Sequence, residues 1–408
     1  MPASLKDQSE RVHEFDGLRG FLAMWVVLSH ILALCGLWDA HIPMRLQGIW
    51  AAIISGAPPV DAFIILSGFA ITFYLNEKKP TYANFIRSRF FRIYPIYLAC
   101  LILAISTSGL IPAIVSSASW HNTIYFTWLQ SEYASAQSNL TAHIFWHLTL
   151  LNGVLPNTIL PYATATLLPP SWSITLEWQF YLAAPLLLLI ARSGIGLLIL
   201  TAISVLTYHY GGAWQNPQPA FLPAQLPLLL AGMGSYHLYV WLKKFKPEDT
   251  KALVLPIAIL LAIAVMSFTP HVIALTIWAL CFGAIFLKGN DLLSRCFSLL
   301  RGIMLRSSFQ WLGNISYPLY LIHWPVLLIT LRLLLYEYPA ISSTEAVLVL
   351  FFVAVPLILL AALALHVWIE IPGRTLGRRT LKKLPSQISG KQPGGDYANF
   401  DTVKNTTP

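Results

Sequence analysis

Long apolar runs alternate with short polar segments along most of the 408-residue chain. About ten of these runs reach the roughly 20 predominantly apolar residues with which an α-helix crosses a bilayer. They lie near residues 18–36, 57–75, 92–115, 172–191, 193–209, 221–242, 252–268, 271–288, 310–331 and 346–369. The pattern predicts an all-α, polytopic integral membrane protein with about ten transmembrane helices.

Lysine and arginine residues fall almost entirely in alternate loops. One set of loops contains the stretches "NEKKPTYANFIRSRFFR", "KKFKPEDTK" and "GRRTLKK", whereas the other set contains only Arg45. Because cytoplasmic loops collect positive charge, both termini are predicted to be cytoplasmic. These loops account for much of the net charge of +9, so the charge indicates a lipid bilayer rather than a nucleic-acid partner.

Composition agrees with a single membrane domain. Hydrophobic residues make up 56% of the chain and charged residues 11%, far from the balance of a soluble domain. Residues 1–375 are predicted to form the membrane domain, and residues 376–408 a cytoplasmic tail that is first basic and then disordered. No small-residue cleavage site follows the first apolar run, so that run is expected to remain as a helix. The four cysteines are scattered, which predicts neither a metal site nor a disulfide framework.

One long segment, residues 116–170, does not read as a span and contains no lysine or arginine. Its stretch "AHIFWHLTLLN" is too short to cross and is expected to lie re-entrant or along the interface. Aromatic side chains in this outer segment have two interpretations. They form either a platform that stacks on sugar rings or an interfacial belt; the residues concerned are Trp120, Tyr125, Trp128, Tyr133 and Trp146.

Ionisable residues occur inside several apolar runs. In "DGLRGFLAMWVVLSH", Arg19 and His30 lie on nearly one helix face about 16 Å apart. Asp61, Glu177 and His323 occupy three other predicted helices at a depth similar to that of His30. Each of them alone could be a structural polar group, but ionisable residues at one level favour a shared internal site. A proton relay in a transporter is the competing interpretation.

The third apolar run opens with "IRSRFFRIYP", which contains Arg87, Arg89 and Arg92. The bias for positive charge at the inner surface predicts basic residues here in any case. Arginine rather than lysine at all three positions favours phosphate, whose oxygens a guanidinium binds as a fork.

These stretches together resemble the acyltransferase 3 family of bacterial integral-membrane O-acyltransferases, in the form without a fused esterase-like domain. The resemblance rests on "FDGLRG" with its Arg-x10-His, and on "DAFIILSGF", "RSRFFRIYPIY", "WSITLEWQFY", "LGNISYPLYLIHWPV" and "WIEIPGR" in this order. Where this chain reads "ITLEW", the family more often has Ser-Val-Glu. The resemblance implies transfer of an acyl group, commonly acetyl from acetyl-CoA, to a hydroxyl of a carbohydrate. It also implies a bacterial cytoplasmic membrane and no permanently bound cofactor.

The resemblance and the residue chemistry together suggest roles for named side chains. His30 is the expected general base, Asp61 or Glu177 would orient it, and His323, Tyr320 or Ser67 would stabilise the oxyanion. Coenzyme A would be held by Arg19, Ser67, Arg89 and Arg92. The acyl group passes either directly to the acceptor or by way of His30, and both routes need the same residues. An acceptor at the outer face is a hypothesis, and a lipid or a small molecule is the alternative acceptor.

Overall fold

The structure is a computed structural model that describes residues 12–39, 50–51, 53–210, 220–244, 271–289 and 291–382. Within these residues the regular structure is entirely helical. The first six α-helices are α1 His13–Leu34, α2 Ala57–Lys78, α3 Tyr82–Ser108, α4 Ile111–Ser117, α5 Ile124–Ser138 and α6 Leu140–Thr149. They are followed by α7 Trp172–Ile190, α8 Gly194–Tyr210, α9 Leu222–Leu242, α10 Val272–Phe286, α11 Leu292–Met304 and α12 Ser307–Glu337.

The last three α-helices follow one another as one continuous helical segment. Helices α13 Ser343–Val349, α14 Val355–Leu365 and α15 Ile371–Lys382 are joined by π-helical turns at Leu350–Ala354 and His366–Glu370. Proline at the start of α14 supports a helix start because the first turn needs no amide donor there. The basic helix α15 packs against α3, where Gly373 and Gly377 lie against Phe91.

Six helical segments in the described part of the chain are long and apolar enough to cross a membrane: His13–Leu34, Ala57–Lys78, Tyr82–Ser108, Pro169–Ile190, Ser307–Glu337 and Ser343–Arg379. The all-helical, multi-pass class is therefore confirmed. The predicted runs 193–209, 221–242 and 271–288 coincide with the helices α8, α9 and α10. The run 252–268 lies outside the described residues. The predicted start of the third helix at residue 92 is wrong, because the basic stretch before it is already helical from Tyr82.

Glycine residues allow two pairs of long helices to touch backbone to backbone. A Cβ atom at Gly313 of α12 would lie 2.0 Å from the carbonyl oxygen of Asp16 in α1. A Cβ atom at Gly232 of α9 would lie 2.0 Å from the carbonyl oxygen of Ile65 in α2, and one at Gly68 would lie 2.4 Å from that of Leu229. Such close crossings are typical of membrane helices, which gain little from apolar burial and rely on tight packing. The two crossings fix α1 against α12 and α2 against α9.

The outer segment folds down onto the ends of these helices. Thr166, Leu168 and Ser171 are each at most 1% exposed, so the start of α7 is covered by the chain that precedes it. Trp120 anchors the segment to α1, because its indole nitrogen donates a hydrogen bond to the carbonyl of Leu34 at 2.9 Å. As a result, the first residues of α7 lie beneath the outer segment rather than at the surface.

A candidate active site between two cavities

Two histidines from α1 and α12 meet in the middle of the protein. The ring centroids of His30 and His323 are 5.0 Å apart, and the edge of the His30 ring also contacts Trp324, at 5.7 Å between centroids. His323 is completely buried and His30 is partly exposed. The α1–α12 crossing therefore brings together two of the four residues that were predicted to share an internal site.

Backbone carbonyls set the orientation of both rings. Nδ1 of His30 lies 2.9 Å from the carbonyl oxygen of Val26, and Nδ1 of His323 lies 3.3 Å from that of Leu319. Since a carbonyl only accepts, each Nδ1 must carry the proton and each neutral ring keeps its lone pair on Nε2. Nε2 of His323 is buried without a hydrogen-bond partner. The pair thus presents two unprotonated nitrogens, which is the state that a general base requires.

An inner cleft lies on one side of this pair and contains about 740 Å³ of space. It is lined by side chains from α1, α2, α3, α7 and α12, among them Arg19, Ser67, Arg92, Glu177, Ser316 and Tyr320. Glu177 accepts a short hydrogen bond from the hydroxyl of Tyr181. The lining contains two guanidinium groups and one carboxylate, an excess of one positive charge in the wall that favours an anionic ligand. Nη1 of Arg19 also lies 3.5 Å from the carboxylate of Asp16, which is not part of the lining.

An outer cavity lies on the other side of the pair and contains about 830 Å³ of space. His30 lines it together with residues of the outer segment and the first residue of α7, among them Trp128, Asn157, Tyr162, Thr164 and Trp172. Among the residues that the structure describes, none with a charged side chain lines this cavity apart from the ionisable His30. The two spaces therefore differ in chemistry: the inner cleft is cationic, whereas the outer cavity is aromatic and neutral.

Consecutive residues of α7 separate the two spaces. Trp172 faces the outer cavity and Ser173 the inner cleft. Ser173 donates a hydrogen bond of 2.9 Å to the hydroxyl of Tyr320, whose ring lies 6.1 Å from that of His323 between centroids. Tyr320, His323 and His30 therefore form a series of adjacent rings that leads from the inner cleft to the outer cavity.

The structure groups the four predicted catalytic residues differently from the sequence. Glu177 lines the cleft with Arg19 and Arg92, whereas His30 does not line it. The carboxylate of Asp61 lies 2.6 Å from Nδ1 of His271, at the start of α10. This salt bridge joins α2 to α10, so Asp61 is not the residue that orients His30.

Arg89 is also placed differently from the expectation. Its guanidinium carbon lies 4.3 Å from the centre of the Tyr74 ring and 5.6 Å from the centres of the Phe85 and Tyr181 rings. Arg89 and Arg92 are three residues apart, which separates their directions by about 60° around the helix axis. Arg92 therefore faces the cleft, while Arg89 is held in a cage of aromatic rings by cation–π contacts. One of these rings belongs to Tyr181, which donates to Glu177.

The outer segment has a buried polar core of its own. The hydroxyl of Thr166 lies 2.9 Å from Nδ1 of His143, and Nδ1 of His147 lies 2.8 Å from the carbonyl of His143. The amide of Asn152 donates to the carbonyl of Ala163 at 3.0 Å. Burial lowers the pKa of His147 to about 4, so this ring is neutral at physiological pH. These contacts fix the loop that borders the outer cavity.

Only one of the five aromatic residues predicted as a sugar platform, Trp128, lines the outer cavity. Trp120 is bound to the end of α1, and Trp146 packs against the small apolar cluster around Leu155 and Leu160. Tyr162 and Trp172 were not predicted, because a tyrosine in a loop and a tryptophan at a helix start carry no pattern that distinguishes them from belt residues.

Comparison with known proteins gives a family match over most of the chain. The model of the acyltransferase 3 family, described as an acyltransferase domain, matches residues 12–367. The chain is 27% identical to "Acyltransferase MdmB" of Streptomyces mycarofaciens over 183 residues, which cover 43% of this chain and 39% of that protein. It is 30% identical to "Nodulation protein 10" of Rhizobium leguminosarum bv. viciae over 202 residues, which cover 47% of this chain and 48% of that protein.

The chain thus matches less than half the length of either curated relative. No solved structure matches it.

Proposed function

Because the chain belongs to the acyltransferase 3 family, we propose that it transfers an acetyl group from acetyl-CoA to a hydroxyl group of a carbohydrate. Family membership makes the chain a multi-pass membrane acyltransferase; the acetyl donor and the carbohydrate acceptor are our proposal. The observation that carries it is the histidine pair, with its two unprotonated Nε2 atoms, between a cationic cleft and an aromatic cavity.

The inner cleft is the proposed donor site. Coenzyme A carries several phosphate charges, and the guanidinium groups of Arg19 and Arg92 supply forked donors for them. Ser67 lines the same cleft, at the closely packed α2–α9 crossing. The thioester carbonyl would reach the hydroxyl of Tyr320, which accepts from Ser173 and so has its own proton free to donate. That hydroxyl stabilises the charge that develops on the carbonyl oxygen.

His30 is the proposed base. Its Nε2 takes the proton of the acceptor hydroxyl while the oxygen forms a bond to the thioester carbon. The carbon–sulfur bond then breaks, and the thiolate of coenzyme A takes the proton from the imidazolium. The product is an ester of the acceptor, and His30 returns to its neutral form. If the acetyl group rests first on His30, Nε2 attacks the thioester carbon and expels the thiolate of coenzyme A. The acceptor hydroxyl then attacks the acetyl carbon, its proton passes to that thiolate, and the carbon–Nε2 bond breaks to return neutral His30.

The membrane topology belongs to the same proposal. About ten crossings with both termini in the cytoplasm of a bacterial inner membrane place the basic ends of α3 and α15 on the side where acetyl-CoA is made. The outer segment and its cavity then face the opposite side, where a cell-surface or exported glycan is available.

The test uses purified full-length protein in lipid nanodiscs, radiolabelled acetyl-CoA, and envelope glycans from cells that lack the gene. We expect label in the glycan, and we expect acetyl-pantetheine, which lacks the phosphates, to be a much poorer donor. Donor without acceptor leaves label on the protein only in the covalent route. Transfer to water or lipid with none to glycan would contradict the carbohydrate acceptor, and equal use of acetyl-pantetheine would contradict the role of the arginines.

A further inference from the structure

We propose that the outer cavity is the acceptor subsite and that it binds one pyranose ring against a wall formed by Trp128, Tyr162 and Trp172, with a ring hydroxyl directed at His30. The rings of Trp128 and Tyr162 contact each other edge to face at 6.5 Å between centroids, so the sugar would lie on this aromatic wall. The inference rests on the proposed function, because it takes His30 as the base, but it concerns a separate set of residues. Trp172 opens the stretch "WSITLEWQFY" and Trp128 is one of the aromatic residues of the outer segment, whereas Tyr162 belongs to none of the motifs quoted for the resemblance.

The chemistry of the cavity wall selects the class of ligand. Its three aromatic rings come from three places in the chain: α5, the loop before α7, and the first turn of α7. The remaining polar groups are the amide of Asn157, the hydroxyl of Thr164 and the ring of His30. A lining without lysine, arginine or carboxylate disfavours a charged ligand. Aromatic faces combined with an amide and a hydroxyl suit a ring that has apolar C–H faces and hydroxyl edges.

The loop that supplies Tyr162 is held in a strained conformation. Tyr162 and Leu167 both have positive φ angles, 57° and 61°, in the left-handed region that non-glycine residues seldom adopt and that asparagine tolerates best. The side-chain oxygen of Asn157 accepts a hydrogen bond from the amide of Tyr162 at 3.2 Å. The amide of Thr166 donates to the carbonyl of Tyr162 at 3.0 Å. Strain that the surroundings enforce is concentrated at functional sites, and here it sets the position of an aromatic ring in the cavity wall.

Buried side chains fix the same loop from the opposite side. Asn152 holds the carbonyl of Ala163, and His143 holds the hydroxyl of Thr166. Both clamping residues are fully buried, as is Thr166. A loop that only connects two helices is normally polar and solvated. The buried hydrogen bonds to Ala163 and Thr166 therefore hold this loop more firmly than a connecting loop requires. The clamps make the cavity wall rigid before a ligand arrives, which lowers the entropic cost of binding.

The test reads binding directly and does not depend on acyl transfer. The full-length protein in nanodiscs is mixed with oligosaccharides released from the envelope of cells lacking the gene, with sorbitol added as an acyclic polyol. Saturation-transfer NMR then shows which protons contact the protein. For the wild type we expect saturation of sugar ring protons and none of sorbitol. Trp128 is 36% exposed without a ligand, and Trp128→Ala should weaken binding about tenfold, as truncation of an aromatic side chain that packs on a ligand does.

Tyr162→Asn is the decisive variant. Asparagine accepts the left-handed conformation better than tyrosine, so the variant should melt at the same temperature as the wild type or higher, yet bind the sugar about tenfold more weakly. Tyr162→Phe keeps the ring and should bind within about twofold of the wild type. Phe145→Ala, which removes an exposed ring from α6 away from the cavity, is the matched control and should bind normally.

The outcomes separate this inference from the proposed function. Sugar binding that Tyr162→Asn weakens supports the subsite, even if the wild type transfers no acetyl group. Sugar binding that Tyr162→Asn and Trp128→Ala leave unchanged overturns the subsite, even if transfer to glycan is observed. Absence of ring-proton saturation in the wild type overturns it as well and directs attention to a lipid or another small molecule as acceptor.

Discussion

At the scale of single residues, the account depends on which nitrogen atoms carry protons. Backbone carbonyls hold the Nδ1 protons of His30 and His323, so both Nε2 atoms are left as acceptors. The hydroxyl of Tyr320 accepts from Ser173 and keeps its own proton for donation. His323 lies between the base and the oxyanion donor, with its ring centroid 5.0 Å from that of His30 and 6.1 Å from that of Tyr320. We therefore expect that one mutation can remove the oxyanion donor, Tyr320, and leave the base, His30, in place.

Tyr320→Phe removes the oxyanion donor and keeps the ring that packs against His323 and Phe63. We expect kcat for acetyl transfer to fall about 10²- to 10³-fold, the usual cost of one lost oxyanion donor. Half-saturation by acetyl-CoA should change little, because the contact strengthens only as charge develops. Steady-state kinetics in nanodiscs measures both. Tyr82→Phe, which removes an exposed hydroxyl bonded to the carbonyl of Leu182, is the control. A rise in half-saturation with unchanged kcat would contradict the role.

Sequence reasoning succeeded at this scale where residues lie on one helix or on helices that cross closely. His30, Arg19 and His323 lie where their helical positions indicated, and the first two line the outer and inner spaces as expected of one helix face. Sequence reasoning failed where the hydrogen-bond partner of a residue comes from a distant part of the chain. Asp61 pairs with His271, 210 residues further along the chain, and helical periodicity gives no information about such a contact.

At the scale of the elements, the helix crossings position the site. Gly68 lies next to Ser67 in the cleft wall, and it allows α2 to touch α9. The same contact needs Gly232 on the other helix. The α2–α9 contact therefore positions the side chains of α2 that line the cleft, beside Leu229 of α9.

Gly232→Ala should separate α2 from α9, because its Cβ would lie 2.0 Å from the carbonyl oxygen of Ile65. We expect a loss of stability of about 1 to 3 kcal/mol, as for other overpacked sites, measured as a lower melting temperature in detergent. Gly234→Ala, two residues further along the same helix and with no atom within 4 Å of its added Cβ, is the matched control. It should be neutral or slightly stabilising. Equal melting temperatures for the two variants would contradict the close crossing.

The buried histidine core of the outer segment predicts a pH dependence. His147 has its pKa lowered from 6.5 to about 4, so the unfolded segment binds more protons than the folded one between these values. Its contribution to stability is therefore complete above pH 6.5 and is lost as the pH falls towards 4. The protection factors of peptides from residues 140–171, meaning exchange rates corrected for the intrinsic pH dependence of amide exchange, should fall over this range, and less so in His147→Asn. Protection factors that are the same at pH 4 and pH 7 would contradict a buried neutral ring.

The outer segment also shows why the fold was only partly predictable at this scale. Hydropathy located the long helices well, because length and composition suffice for a bilayer span. The same windows placed the start of the third helix ten residues late, since a run of arginines lowers hydropathy without ending a helix. They also identified residues 116–170 only as a segment that does not cross, and hydropathy gave no sign that Thr166, Leu168 and Ser171 are buried.

At the scale of the whole molecule, the orientation in the membrane decides what the two spaces can bind. A cationic cleft must reach the compartment that contains acetyl-CoA, and the aromatic cavity must reach the acceptor. Of the four cysteines, Cys35, Cys100 and Cys281 are buried, and only Cys296 on α11 is exposed. This natural distribution provides a probe of orientation.

A membrane-impermeant maleimide should label Cys296 in inside-out vesicles and leave it unlabelled in intact cells, because α11 belongs to a predicted cytoplasmic segment. Labelling is read as a mass shift of the purified protein. Cys296→Ser should abolish it, which also verifies that the three buried cysteines do not react. Labelling in intact cells would reverse the proposed orientation and would place the cationic cleft on the wrong side for acetyl-CoA.

The central claim is that His30 is the base of a glycan acyltransferase, and mass spectrometry of envelope glycans tests it most directly. Cells lacking the gene are restored with wild type, with His30→Gln or with His121→Gln at matched expression. His121 lies in the outer segment and, like His30, has its Nδ1 hydrogen-bonded to a backbone carbonyl. We predict that wild type and His121→Gln restore an acetyl increment and that His30→Gln lowers it about 10²- to 10⁴-fold. Full restoration by His30→Gln would show that this ring is structural and would contradict the mechanism.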